Sequence, residues 1–221
     1  MTIKLGTSII LLIFLTSCFS ISSYQTADTV PKGDIELGLA LSIVKTETDI
    51  AGGEGEDEVI GQKTSNFPVF EFISRYGLLN GLDFGLKLTS SGLFDFDFKF
   101  RVLSFGDDTD RFAIAIKPMV SIPIVMGDSD NILPFIVYSG RVSLLMSKRF
   151  TKVYGMYFAL NYSPKLTNGT YEFSDAKEST FSAVLGVSVE EESFWFRPEI
   201  LVSGYNSKPA ITFGVGAGIK F

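Results

Sequence analysis

From Phe94 to Val102 the chain reads Phe-Asp-Phe-Asp-Phe-Lys-Phe-Arg-Val, so that every second residue is large and apolar and every residue between is charged. A repeat of two is the side-chain period of a β-strand, whose successive residues point to opposite faces. One face carries Phe94, Phe96, Phe98, Phe100 and Val102, the other Asp95, Asp97, Lys99 and Arg101. A soluble core suits only one of these faces. The stretch is therefore expected to be one stave of a barrel with lipid outside and a polar lumen inside.

The same alternation recurs along the chain and predicts about ten strands, at residues 34–44, 69–78, 82–89, 94–102, 112–122, 135–146, 153–162, 181–190, 194–202 and 211–221. The fold class is thus all-β, a transmembrane antiparallel up-and-down barrel. An even strand number puts both ends of the barrel on one side. The connections alternate between tight and long, as short turns and long loops on opposite sides of a membrane should. Asn80-Gly81 is a hairpin signal, because a type I′ turn needs positive φ at both central residues. Residues 46–67, with Glu47, Asp49, Glu54, Glu56, Asp57 and Glu58, read as a solvated acidic loop, and residues 164–179 as a second long loop. Pro118 and Pro198 fall inside strands, where each removes a ladder donor, so bulges or local breaks are expected there. Parity turns Trp195 inward, while Tyr76, Tyr154 and Tyr162 fall near strand ends on the apolar face, as girdle residues should.

Charge strengthens the assignment of the two faces. The strands hold eight acidic residues (Asp34, Glu36, Glu71, Asp83, Asp95, Asp97, Glu190, Glu199) and eight basic ones (Arg75, Lys87, Lys99, Arg101, Lys117, Arg141, Arg197, Lys220), all on one face. A soluble barrel of the lipocalin kind alternates too, with its apolar face inward. An interior of ten strands, however, has no room for some five large side chains from each. The balanced lumen charges are expected to pair across adjacent strands and largely close the lumen. A narrow pore for small solutes is the alternative.

Composition then excludes several classes. The 221 residues are 46% hydrophobic, yet the longest apolar run, from Ile9 to Leu15, is far short of the roughly 20 residues that a membrane helix needs. The net charge of −6, without any basic stripe, argues against a nucleic-acid partner. There is no histidine, so no His-based triad, general base or histidine metal site can be built. The pair Asp95 and Asp97 could do acid–base chemistry in principle, but inward ion pairing is the simpler role. Asp128-Ser129-Asp130-Asn131 lacks the ligand spacing of a dedicated Ca²⁺ site. No enzyme, cofactor or metal is expected.

Residues 1–17 carry Lys4 and then the apolar run, which is the layout of an export signal. Leu15-Thr16-Ser17-Cys18 resembles the lipobox of bacterial lipoproteins, which implies that Cys18, the single cysteine, becomes the acylated (palmitate-bearing) first residue. A plain secretory signal is the alternative. Phe19 rather than aspartate after the cysteine implies sorting to the outer membrane. Residues 18–32, polar and Ser-rich, read as a tether from a lipid in the inner leaflet to the first strand, and residues 33–221 as the barrel. The last strand alternates to a terminal Phe221, which looks like the C-terminal signature recognised by the outer-membrane assembly machinery. As a pattern, residues 33–221 resemble the small OmpA- or OmpX-type barrels. The resemblance implies outer-membrane lipid, lipopolysaccharide and the lipoprotein-processing and barrel-assembly machineries as partners, and a structural or surface-interaction role.

Overall fold

The structure, a computed structural model, describes residues 22–51, 59–90, 92–123, 139–163, 180–205 and 208–221. Ten strands form from the alternating stretches: β1 Ile35–Ala51, β2 Val59–Leu79, β3 Leu82–Thr89, β4 Leu93–Gly106, β5 Arg111–Pro123, β6 Ser139–Arg149, β7 Tyr154–Ser163, β8 Thr180–Glu190, β9 Phe194–Tyr205 and β10 Lys208–Lys220. Each pairs antiparallel with its sequence neighbours, and β1 pairs with β10 to close the barrel. At the seam the Ile35 N–H donates to the Phe221 carbonyl at 3.1 Å and the Phe221 N–H to the Ile35 carbonyl at 2.9 Å. Closure leaves no sheet edge, a condition that a strand protein must meet in hydrocarbon.

The period-two pattern sorts the side chains. Leu39, Phe70, Phe98 and Phe213 face outward and are 44–68% exposed, while Arg75 and Asp83 are 0–1% exposed inside. An apolar exterior around a charged interior is the reverse of a soluble fold and suits lipid. The molecule is a transmembrane up-and-down barrel. Tyr76, Tyr154 and Tyr162 are exposed on the outer face, and Trp195 is buried inside. One end, here the turn end, holds the connections after β2, β4, β6 and β8 together with the starts of β1 and the C-terminus. The other, the loop end, holds the rest.

Four local features depart from the sequence reading. The first hairpin continues past the barrel wall: Lys45 to Ala51 pair with Asn66 back to Val59, so much of the expected acidic loop is extended ladder. At Asn80-Gly81 the hairpin forms with only Gly81 at positive φ (90°) among the two, so the turn is not type I′. A register shift between Gly77 and Leu79 absorbs the extra residue instead. Asp34 precedes β1 and is exposed at the turn end rather than facing the lumen. The prolines break ladders without bulging: β4–β5 pairing skips from Asp97↔Met119 to Phe100↔Ile116, and β8–β9 from Gly186↔Glu199 to Val189↔Phe196. Opposite each gap the proline's other ladder is unbroken, at Pro118↔Val142 and Val215↔Pro198. The bulge on β4 lies elsewhere, between Arg101 and Leu103, and turns both Val102 and Leu103 outward.

Candidate functional site

The lumen is lined by charge, and it is occupied by the chain itself. Residues 22–31, read from their composition as a tether between anchor and barrel, run inside the wall. Ser22, Ser23, Tyr24, Gln25, Thr26, Ala27 and Val30 are all no more than 4% exposed. A Ser- and Thr-rich segment suits this place, because it adds donors and acceptors to a polar interior, and its single charge, Asp28, meets arginines of the wall.

Its path follows from its contacts. At the turn end, the Gly33 N–H donates to the Gly77 carbonyl at 2.8 Å, and the Val30 N–H to Asp83 Oδ2 at 2.9 Å. Asp28 then meets three arginines: Arg149 Nη2 at 3.2 Å, Arg111 Nη1 at 3.5 Å and Arg101 Nη1 at 4.0 Å. Lys99 Nζ donates to the Thr26 carbonyl at 3.2 Å and the Asp28 carbonyl at 2.5 Å. Arg197 Nη1 donates to the Tyr24 carbonyl at 3.0 Å. The Ser23 and Tyr24 N–H groups donate to the two oxygens of Glu199 at 2.9 and 2.7 Å. Last, the Ser22 hydroxyl donates to Glu71 Oε1. The N–H groups of Ser23, Tyr24 and Val30 and the carbonyls of Tyr24, Thr26 and Asp28 are all met by side chains of the wall, which is how irregular backbone survives at membrane depth.

Tyr24 is the wedge of the segment. It is the one non-glycine residue at positive φ (43°) among those described, a conformation that costs about 1–2 kcal/mol. Its hydroxyl lies 2.6 Å from Ser42 Oγ and 3.2 Å from the Leu41 carbonyl, which holds it there. The ring occupies space left by glycines: a Cβ on Gly214 would lie 2.1 Å from the Tyr24 hydroxyl oxygen, and one on Gly216 3.1 Å from its ring. Gly38 and Gly218 make the same room for Trp195, over which Arg197 stacks at 4.5 Å from the ring centroid.

The wall charges fall into groups. Arg75 bridges two strands: its Nε donates to Asp83 at 2.9 Å, its Nη1 and Nη2 to Asp97 at 3.2 and 2.7 Å, and its Nη2 also contacts Asp83. Lys99 adds 3.3 Å to Asp83. Lys87 joins Glu71 and Asp95, each at 3.2 Å. Near the turn end, Glu190 collects Arg197 at 2.9 Å, Lys220 at 2.9 Å and Arg149 at 3.5 Å. Lys117 is buried on the same wall, and Arg141 donates to Ser163 Oγ at 3.4 Å. Glu199 differs from the rest: it takes the two backbone N–H groups and the Tyr157 hydroxyl at 3.0 Å. Sequence reasoning missed Asp28, Arg111 and Arg149, which sit just outside or at the ends of the alternating stretches.

Beneath the segment a cavity of about 810 Å³ opens at the turn end, with Asp28, Arg111, Arg149, Glu190 and Lys220 among its lining. In the turn between β4 and β5, the Asp107 carboxylate is held below its usual range by hydrogen bonds from the Thr109 hydroxyl (2.6 Å) and the N–H groups of Thr109 and Asp110 (2.8 and 3.0 Å). Among the described residues no cluster of three or more potential ligands could hold a metal. Cys18, Asp128-Ser129-Asp130-Asn131 and the whole of the 164–179 loop lie outside the described residues.

No protein-family model matches the chain, and no curated protein does. Solved structures that resemble it include the translocator domain of autotransporter NalP from Neisseria meningitidis (11% identity, 88% of this chain and 91% of that one, TM-score 0.47). OprG, an outer membrane protein of Pseudomonas aeruginosa, matches at 13% identity over 89% and 99% with a TM-score of 0.36. Ail, the attachment invasion locus protein of Yersinia pestis, matches at 11% over 86% and 99% with a TM-score of 0.31. Likenesses at this level do not bear on what this chain does.

Proposed function

We propose that this protein is an acylated barrel of the bacterial outer membrane that conducts little or nothing at rest, and that it serves a structural or surface-interaction role through its loop end. The observation that carries the reading is the occupied lumen: residues 22–30 are held by Glu199, Asp83, Lys99 and Arg197 among paired wall charges. Barrels of eight strands are filled by their own side chains and those of sixteen are open. Ten strands with an eleventh peptide inside lie toward the filled end. The mixed signs of the wall suit mutual pairing better than the single-sign ring of a selective pore.

The export-signal layout of residues 1–17 and the lipobox-like end at Cys18 support outer-membrane delivery and acylation. The terminal Phe221, bonded to Ile35 across the seam, suits recognition by barrel-assembly machinery. Outer-membrane lipid and lipopolysaccharide are the partners that the apolar exterior calls for. A narrow solute pore requires the segment to leave. Conductance of the purified protein in planar bilayers decides between the two. A silent wild type supports a closed barrel, and steady open channels would replace it with a pore.

A further inference from the structure

The segment in the lumen has a direction. Pro31 abuts Gly77 at the turn end, where a Cβ on that glycine would lie 1.8 Å from the Pro31 carbonyl oxygen. Ser22, nine residues earlier, is bonded to Glu71. Glu71 pairs with Thr89, the last residue of β3, and Thr89 binds Leu93 N–H across the β3–β4 connection at 3.2 Å. Ser22 is thus at the level where β3 ends on the loop side. The segment enters from the turn end and climbs amino-end first toward the loops.

We propose that the chain is threaded through its own barrel, so that what precedes Ser22 leaves at the loop end and Cys18 is displayed on that side. Chain length supports this. Four residues separate Cys18 from Ser22, a reach of about 14 Å when fully extended. The wall from Glu71 back to Gly77 is six residues, about 20 Å along the strand, and the lumen on that path is filled by residues 23–30. An acyl chain on Cys18 therefore cannot turn back over the turn-end rim to the inner leaflet while the segment is docked. The inner-leaflet tether inferred from composition and the docked segment exclude each other. At the β3–β4 connection, level with Glu71, the loop side lies within that reach. With the loops outward, as the proposed outer-membrane reading has it, the amino terminus faces the cell surface.

Three single substitutions in the full-length protein test the direction: Ser20→Cys, Asn168→Cys in the connection after β7, and Lys152→Cys in the turn after β6. Cells expressing each are treated with a membrane-impermeant maleimide, intact and after disruption of the outer membrane. Ser20→Cys is expected to label in intact cells together with Asn168→Cys, and Lys152→Cys only after disruption. Labelling of Ser20→Cys only under the conditions that label Lys152→Cys, or under neither, overturns the threading. Equal labelling of Asn168→Cys and Lys152→Cys in intact cells overturns the membrane orientation and the threading with it. Wild-type conductance reports on closure alone, so failure of the closed-barrel reading is seen separately.

Discussion

The backbone N–H of Tyr24 donates to Glu199 Oε2 at 2.7 Å, joining two residues 175 positions apart in the middle of the barrel. Glu199 also accepts from Ser23 N–H and the Tyr157 hydroxyl, so a single carboxylate satisfies three buried donors. A buried donor left without a partner costs about 1–3 kcal/mol. Glu199→Ala is expected to lower the temperature at which the folded barrel unfolds in heat-modifiability gels, and to raise conductance as the segment loosens. A variant with unchanged melting and silent bilayers would show that the segment does not depend on this anchor.

The glycines that face the segment offer a test that removes no charge. Gly214→Ala drives a Cβ into the Tyr24 hydroxyl, and Gly77→Ala drives one into the Pro31 backbone. Both are expected to displace the segment and raise conductance. In a Tyr24→Ala background the Gly214→Ala effect should vanish, because the clash is with that side chain, while the Gly77→Ala effect persists. Additive effects of Tyr24→Ala and Gly214→Ala would contradict the packing.

Much of the fold is legible in the sequence because lipid and lumen impose opposite demands on alternate residues: Phe94 to Arg101 states inside and outside without further context. The site is less legible. Residues 22–31 are polar and carry no alternation, so they read as a solvated tether, and a polar lumen satisfies the same groups as water does. The signal lay in their partners. Gly38, Gly214, Gly216 and Gly218 leave much of the inner face of the seam without side chains, which in a packed lumen calls for something to fill it. Glu199 likewise has no cation beside it in the register, since Gly186 and Gly214 flank it. The long first hairpin is hidden for a related reason, since the Gly-rich, acidic composition of residues 46–67 reads as a loop although its two halves pair as strands.

The outer face is tested by Phe98, which lies mid-strand on β4 and points to lipid. Arg at the bilayer midplane costs about 2–4 kcal/mol. Phe98→Arg is expected to impair assembly, read as the folded fraction in the membrane, while Phe98→Leu is tolerated. The inward neighbour Lys99 is not a neutral comparison, because it holds Asp83 and two carbonyls of the segment. Equal assembly of Phe98→Arg and Phe98→Leu would exchange the faces.

Acylation at Cys18 is tested by Cys18→Ser. Incorporation of labelled fatty acid should be abolished, with the folded fraction of the barrel measured alongside. Undiminished labelling would place the lipid elsewhere or remove it from the reading.

The most direct measurement is amide hydrogen exchange at Ser23, Tyr24 and Val30 in the folded protein. Their N–H groups bond to Glu199 and Asp83 inside the lumen. A segment docked in the barrel predicts protection at these three positions comparable to the ladder amides of β1 and β9. Exchange at the rate of an unstructured tether, with the strands still protected, would contradict the plugged barrel.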